Sequence, residues 1–317
     1  MPSTFHTRNP ASLLLLLAGV ATGLALLAPV GWPFELFAHF RAQYAAAALL
    51  LVPFLLWARR RRYAALAAAL ALFNLWPAIR NVLADEPVAD CRGPELTVVT
   101  ANVRYRNDDP RRFIEWLGSH PADLVVVQEV TAAWAGELAR VAAYPHQELF
   151  AREDPYGIGV LSRWPLASTE RVDFAGDGLP SLVGRLQVGG EDVVFVGLHT
   201  HWPVLPRLAR ARDESLRRAA QAIRGQRSPT IVLGDLNLTP YSPVFRRFLD
   251  ESGLRDVMDG RRWRPTWQAG FWPLALRIDH VLVPAGVCVQ QAEVGPSIGS
   301  DHRPVIARLR LEALVEP

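Results

Sequence analysis

The sequence predicts a layered α/β domain carried behind three transmembrane helices. Three observations lead there. The first 80 residues hold three long apolar blocks, the remainder alternates short β-rich apolar runs with helical patterns, and charge divides between the two parts. Seven arginines and one acid, Glu35, give residues 1–80 a net charge of +6; the other 237 residues carry 27 arginines against 30 acids, a net of −3. The positive charge belongs to the apolar third and carries no argument for nucleic acid. Two cysteines exclude a disulfide-built miniprotein and a Cys-rich zinc module, and ten tryptophans with 21% charged residues exclude a disordered chain.

The blocks come first. Residues 12–30 run nineteen positions without a charge, 43–58 form a second apolar block, and 63–79 a third, interrupted by Asn74 and Pro77. About 20 mostly apolar residues cross the hydrocarbon core, so all three are expected to span, the last two with help from their flanks. A cleaved signal peptide would account for the first block only, and two more follow it. A re-entrant hairpin is the alternative for the second and third. The run Arg59, Arg60, Arg61 and Arg62 is the strongest positive cluster beside any span, which places that loop in the cytoplasm. The expected protein is therefore multi-pass in a bacterial inner membrane, with everything after Arg80 on the periplasmic side. Trp32, Trp57 and Trp76 fall near span ends, as interfacial anchors do. Residues 1–80 form the anchor, 81–94 a linker with two prolines and three acids, and 95–317 the second domain.

From Leu96 onward, apolar runs each end on a polar residue. Residues 96–101 end at Asn102, 123–127 at Gln128 and Glu129, 193–198 at His199, and 230–234 at Asp235, Leu236 and Asn237. Near-continuous apolar runs mark strands buried on both faces. Helical patterns at 111–117, 132–141 and 207–224 lie between them, which argues for helices layered on sheets. Residues 277–283 carry Asp279 inside a strand pattern, and Ser300, Asp301 and His302 precede the last strand, 304–311. Six polar stations at strand ends suggest one shared site.

Carboxylates and amides are hard oxygen ligands and favour magnesium or manganese over zinc. A histidine beside a carboxylate is an acid–base pair, so the set suits metal-assisted attack of water on phosphorus. Competing readings fare worse. His199 and His201 share a strand face that zinc could use, but the rest of a binuclear zinc pattern is missing; no Gly-x-Ser-x-Gly elbow occurs, and no Gly-rich phosphate loop with lysine.

The stations Thr100-Ala101-Asn102-Val103, Gln128-Glu129, Gly234-Asp235-Leu236-Asn237, Arg277-Ile278-Asp279-His280 and Ser300-Asp301-His302-Arg303-Pro304 occur in an order that resembles the endonuclease/exonuclease/phosphatase superfamily. Residues 157–163 resemble its internal strand, and the apolar blocks look like those of its membrane-anchored bacterial members. The resemblance implies a four-layer α/β sandwich, two packed mixed β-sheets flanked by helices, and a Mg²⁺- or Mn²⁺-dependent phosphoesterase. It implies Glu129 as the main metal ligand, with Asn102 on the metal or a phosphate oxygen and Asp301 assisting at the metal. His302 would contact the scissile phosphate, with Asp279 holding its ring. Asp235 would deprotonate the attacking water and Asn237 hold the phosphoryl group. His199 would donate to a phosphate oxygen, with His201 as the alternative. His280, next to Asp279, points to the opposite face of a regular strand and reads as structural.

Substrate is less legible. The arginines on 207–224 read as a solvated helix face. Residues 261–267 (Arg261, Arg262, Trp263, Arg264, Pro265, Thr266 and Trp267) form an aromatic and basic loop before the Asp279 strand; Trp202, Phe271 and Trp272 can join it. Such a rim could stack on bases or dip into a bilayer interface, so the phosphodiester is either nucleic acid or a phospholipid headgroup. Cys91 and Cys288 can pair in an oxidising compartment. A membrane-tethered, non-catalytic scaffold on the same fold is the alternative function.

Overall fold

The computed structural model describes residues 10–83, 91–261, 264–268 and 270–311. Two compact units emerge, one of N-terminal helices, with which Pro240–Phe245 clusters, and one α/β unit.

The helical unit comprises α1 (Pro10–Leu26), a short α2 (Phe34–Ala38), α3 (Arg41–Trp57) and α4 (Arg61–Leu83). These differ from the expected spans. The first block stops at Leu26 and tightens into a 3₁₀ turn over Ala28–Val30, because Pro29 cannot continue an α-helix. At 17 residues α1 and α3 are each about 26 Å long, short of a core about 30 Å thick. Among the described residues, only Arg61–Arg80 is long and apolar enough to cross by itself. The linker also begins late: α4 absorbs its first three positions, and 84–90 lie outside the described residues. Within the unit alanines fill many of the helix contacts beside Leu15, Leu51 and Leu55, while other large apolar side chains face outward. Ala45, Ala48, Ala64, Ala67 and Ala71 are buried, while Leu50 is 74% and Trp57 81% exposed. Asn74, the polar break in the third block, donates to Thr22 Oγ1 at 2.9 Å and so joins α4 to α1.

In the α/β unit, β1 (Glu95–Asn102), α5 (Arg111–Ser119) and β2 (Leu124–Gln128) form a parallel crossover, followed by α6 (Ala132–Leu138), β3 (His146–Phe150) and β4 (Ile158–Ser162). The strands β5 (Leu166–Val172) and β6 (Ser181–Val188) lead to a second parallel crossover, β7 (Glu191–His199), α7 (Pro206–Arg224) and β8 (Thr230–Asp235). The chain continues through α8 (Pro243–Ser252), β9 (Leu254–Asp256), β10 (Asp279–Pro284), β11 (Val287–Val294) and β12 (Val305–Leu311).

Two mixed six-stranded sheets result, ordered β11-β12-β1-β2-β4-β3 and β5-β6-β7-β8-β10-β9. Their facing side chains, among them Val98, Val126, Val160, Phe195, Ile231 and Val281, make one core. On the far side of the first sheet, Phe113 and Trp116 of α5 and Trp134 of α6 pack on Val99, Val125 and Val127. Helix α7 buries a stripe of Ala209, Leu216, Ala220 and Ile223, while Arg217 and Arg218 pair with Glu214 on its exposed face. The expected sandwich of two packed sheets flanked by helices is what the chain forms. Cys91 and Cys288 are joined, with Cα atoms 6.3 Å apart, tying the entry to β1 to strand β11.

A buried ion cluster fixes the far edge of the second sheet. Asp256 accepts from Arg277 Nη1 at 2.7 Å, from His280 Nδ1 at 2.8 Å and from the Met258 amide at 2.9 Å. Burial works against its charge, but Arg277 and His280 prevail and hold the carboxyl down to about 2. Because the folded value lies below the ordinary one, this carboxylate stabilises the fold above about pH 4. That contribution disappears as pH falls towards about 2. Asp256→Asn, which takes the buried carboxylate away from the Arg277 guanidinium and from His280, is expected to cost about 3 kcal/mol in denaturant unfolding at pH 7. It should also flatten the acid limb of the stability profile. A loss below about 0.5 kcal/mol, the scale of an ordinary surface substitution, would contradict the assignment.

Candidate active site

The carboxyl ends of the two parallel strand pairs supply the site. In the first sheet Asn102 pairs with Gln128 at the ends of β1 and β2, and Glu129 follows. In the second, His199 of β7 stands level with Asp235 of β8, and Asp235 lies opposite Asp279 at the start of β10. Sequence patterning put Asp279 within a strand; it opens one, because the Ile278 and Asp279 amides both donate to Thr266 Oγ1 at 3.1 Å. His302 enters just ahead of β12, in a backbone bridge with Trp267.

Asp235 is the hub. Its Oδ2 accepts from Asn102 Nδ2 at 3.1 Å and lies 3.8 Å from both His199 Nε2 and His302 Nε2. Oδ1 accepts the Asn237 amide at 2.9 Å. Asn102 Nδ2 also donates to Glu129 Oε1 at 2.9 Å, while Oε2 of the same carboxylate takes the Tyr105 amide at 2.8 Å. One amide nitrogen thus holds carboxylates from both sheets. Asn102 Oδ1 accepts from the Arg104 amide at 3.0 Å, so in this arrangement the oxygen expected on a metal or phosphate is turned to the backbone. Asn237 donates one N–H to the Thr200 carbonyl at 2.9 Å and keeps a second.

Charge is crowded here. Burial, and then Asp279, pushes the Asp235 carboxyl up to about 6. His302 is driven the other way from what its burial alone would do: Asp279, 2.9 Å from Nδ1, with Asp235 and Asp301, raises the ring to about 10. A protonated imidazole offers no lone pair to a metal. Asp235, Asp279 and His302 place ligand atoms within 4.8 Å of one another, but the hard-oxygen side of the cluster, at half-buried Glu129, suits a divalent cation better. Each Glu129 oxygen spends one acceptor position on an N–H and retains another, open to a divalent cation.

Asp301 stands at the rim, Oδ1 3.8 Å from Arg104 Nε. The two histidines of β7 and its exit face different neighbours. His199 faces Asp235, and its buried Nδ1 has no hydrogen-bond partner. His201 is turned to Tyr156 and Asp177. His280 is fully buried between Asp256 and the Leu238 carbonyl, away from the cluster. Among the rim residues, Arg262 and Trp263 lie outside the described residues.

Local backbone shows what the site costs. Glu129 and Asn237 have φ of 63° and 50°, and Arg104, beside Asn102, 63°. Non-glycine residues there cost about 1–3 kcal/mol each and persist where surroundings over-determine them. Gly234 permits the closest strand approach: a Cβ would sit 1.8 Å from the Leu198 carbonyl oxygen. Patterning missed Tyr156, Asp177, Thr200 and Thr266, which act through loop hydrogen bonds that leave no periodic signal.

Comparison with known proteins finds the same fold. The chain is 29% identical over 274 residues to a Drosophila melanogaster protein provisionally named a neutral sphingomyelinase, spanning 68% of this chain but only 61% of that relative. Similar solved structures include zebrafish TDP2 humanized by 14 mutations (TM-score 0.59, 18% identity, 68% of this chain and 99% of that one). Sphingomyelinase C of Streptomyces griseocarneus is also similar (TM-score 0.52, 22% identity, 68% and 99%). Residues 99–302, more than half the sequence and every station from Asn102 to His302, match the Endonuclease/Exonuclease/phosphatase family, and the chain belongs to it.

Proposed function

We propose that the protein is a membrane-anchored, Mg²⁺- or Mn²⁺-dependent phosphodiesterase that delivers water to phosphorus. The observation that carries this reading is the position of His302, between Asp279 at 2.9 Å and Asp235 at 3.8 Å, with Asn102 linking Asp235 to Glu129. Asp235, raised towards neutrality, takes the proton of the attacking water. The His302 imidazolium, with its ring fixed by Asp279, faces the phosphate, and His199 and the second Asn237 N–H donate to phosphoryl oxygens that gain charge. A divalent cation held by Glu129, with Asp301 nearby, neutralises phosphate charge when bound. A tethered scaffold would have no use for a buried, strained and like-charged cluster of this kind.

Membrane anchoring rests on the apolar outside of the helical unit, where Leu14, Leu17, Leu50, Leu56 and Trp57 are exposed, and on the alanines at its helix contacts, which suit lipid and not water. The Arg59–Arg62 run, which spans the α3–α4 connection and the first turn of α4, supports a cytoplasmic loop and a periplasmic α/β unit in a bacterial inner membrane. The Cys91–Cys288 bond supports an oxidising compartment.

For substrate, a phospholipid headgroup is favoured over nucleic acid. Among the described residues of the α/β unit, six of the seven large exposed apolar side chains are Trp202, Val204, Leu205, Phe271, Trp272 and Leu274. They sit on two loops joined by the Trp202–Trp267 ring contact, next to His302. A net charge of −3 after residue 80 suits a duplex poorly.

Full-length protein in detergent, supplied with Mg²⁺ or Mn²⁺, is expected to release phosphorylated headgroups from mixed micelles faster than it nicks plasmid, and EDTA should stop both. Asp235→Asn should lower kcat at least about 100-fold, the scale of a lost general base, with an unchanged melting profile. Undiminished turnover in Asp235→Asn would remove the mechanism; turnover of plasmid alone would remove the lipid reading. A C-terminal alkaline phosphatase fusion should be active and a cytoplasm-dependent reporter silent, and the reverse pattern would invert the topology.

A further inference from the structure

A second hydrogen-bonded chain borders the site and takes no part in the roles above. Asp177 Oδ2 lies 2.7 Å from His201 Nε2, and His201 Nδ1 lies 2.9 Å from the Tyr156 hydroxyl. The Tyr156 ring in turn packs on His199 with centroids 5.7 Å apart. Its loop is clamped: Gly157, whose carbonyl accepts the Val130 amide, could not carry a side chain, since a Cβ would fall 1.9 Å from the Val130 carbonyl oxygen. Tyr156 is therefore held between the end of β2, where Glu129 lies, and His199 at the end of β7.

The chain has a direction. A carboxylate only accepts, so Nε2 of His201 donates to Asp177, and with the ring proton on Nε2 it is Nδ1 that accepts the Tyr156 O–H. The phenol proton is committed to His201, and the lone pairs of the oxygen are left for another donor. Burial and the carboxylates of Asp154, Asp177 and Glu129 push the phenol up, so it keeps its proton. The same carboxylates make the neighbourhood electronegative.

Building on the hydrolase reading, we propose that Tyr156 is a substrate-contacting specificity residue whose hydroxyl oxygen, oriented by His201 and Asp177, accepts a hydrogen bond from a hydroxyl or ammonium group on the alcohol arm of the phosphodiester. His201 and Asp177 are positioning residues that act through Tyr156. The donor can belong to a lipid headgroup amine or to a sugar hydroxyl, and the test separates these sources.

Full-length enzyme is assayed on three p-nitrophenyl diesters: bis(p-nitrophenyl) phosphate, whose arms carry no donor, p-nitrophenyl phosphoethanolamine, and the p-nitrophenyl ester of thymidine 5′-phosphate. The expected readout is selectivity, kcat/KM for a donor-bearing diester over that for the bis-aryl diester. Tyr156→Phe should lower this ratio about tenfold, mainly through KM, as loss of one hydrogen bond to a polar or charged group would. His201→Gln and Asp177→Asn should move it the same way by less. A fall confined to the ethanolamine ester identifies an ammonium, and one confined to the thymidine ester a hydroxyl. A ratio unchanged in Tyr156→Phe, whether or not total activity drops, overturns the proposal and leaves the chain a structural one. If the wild type cleaves none of the three, the hydrolase reading fails separately. Calorimetric binding of phosphoethanolamine, thymidine 5′-phosphate and inorganic phosphate then reads the subsite: weaker binding of either donor-bearing ester, relative to inorganic phosphate, in Tyr156→Phe supports it, and equal affinities overturn it.

Discussion

Two carboxylates face each other in strand register, Asp235 and Asp279, and both are buried. Like charges in that position repel, and desolvation compounds the cost. The fold tolerates them because His302 enters against both and Asn102 donates to one. The cluster is a closed electrostatic arrangement in which each group sets the charge state of the next. Asp279 keeps His302 protonated, and burial with Asp279 keeps Asp235 poised near neutrality. Strongly shifted charge states thus arise in ordinary side chains through placement alone.

Topology makes that placement available. Each sheet contains one parallel crossover, β1–α5–β2 and β7–α7–β8, and each delivers polar residues at its carboxyl end. Packing the sheets face to face brings these ends together, so the valine-rich core that stabilises the domain also fixes the distance between Glu129 and Asp235 through a single amide. Strained φ values at Glu129 and Asn237 fall just after the core strands β2 and β8, which hold the preceding backbone.

Much of this was legible in the sequence for a physical reason. Strands buried on both faces cannot hide a polar terminus, so Asn102, Glu129, His199 and Asp235 stood out as interruptions of apolar runs. The four-layer sandwich was implied by the family resemblance that their order carries. Less legible were strands such as β5 and β11, whose mixed exposure blurs the apolar pattern, and the partners of His201. Tyr156 and Asp177 reach it from loops 45 and 24 residues away, a proximity set only by tertiary structure. The end of α1 was misjudged because Pro29 lies inside an uninterrupted apolar block, where hydropathy is blind to a missing amide proton.

The central claim is that this cluster directs water onto phosphorus. Hydrolysis of bis(p-nitrophenyl) phosphate by the full-length, metal-supplied protein in ¹⁸O-labelled water, followed by mass spectrometry of both products, tests it most directly. The account predicts one ¹⁸O in p-nitrophenyl phosphate and none in p-nitrophenol. Label in the phenol, or no turnover by folded protein with Mg²⁺ or Mn²⁺, would contradict it.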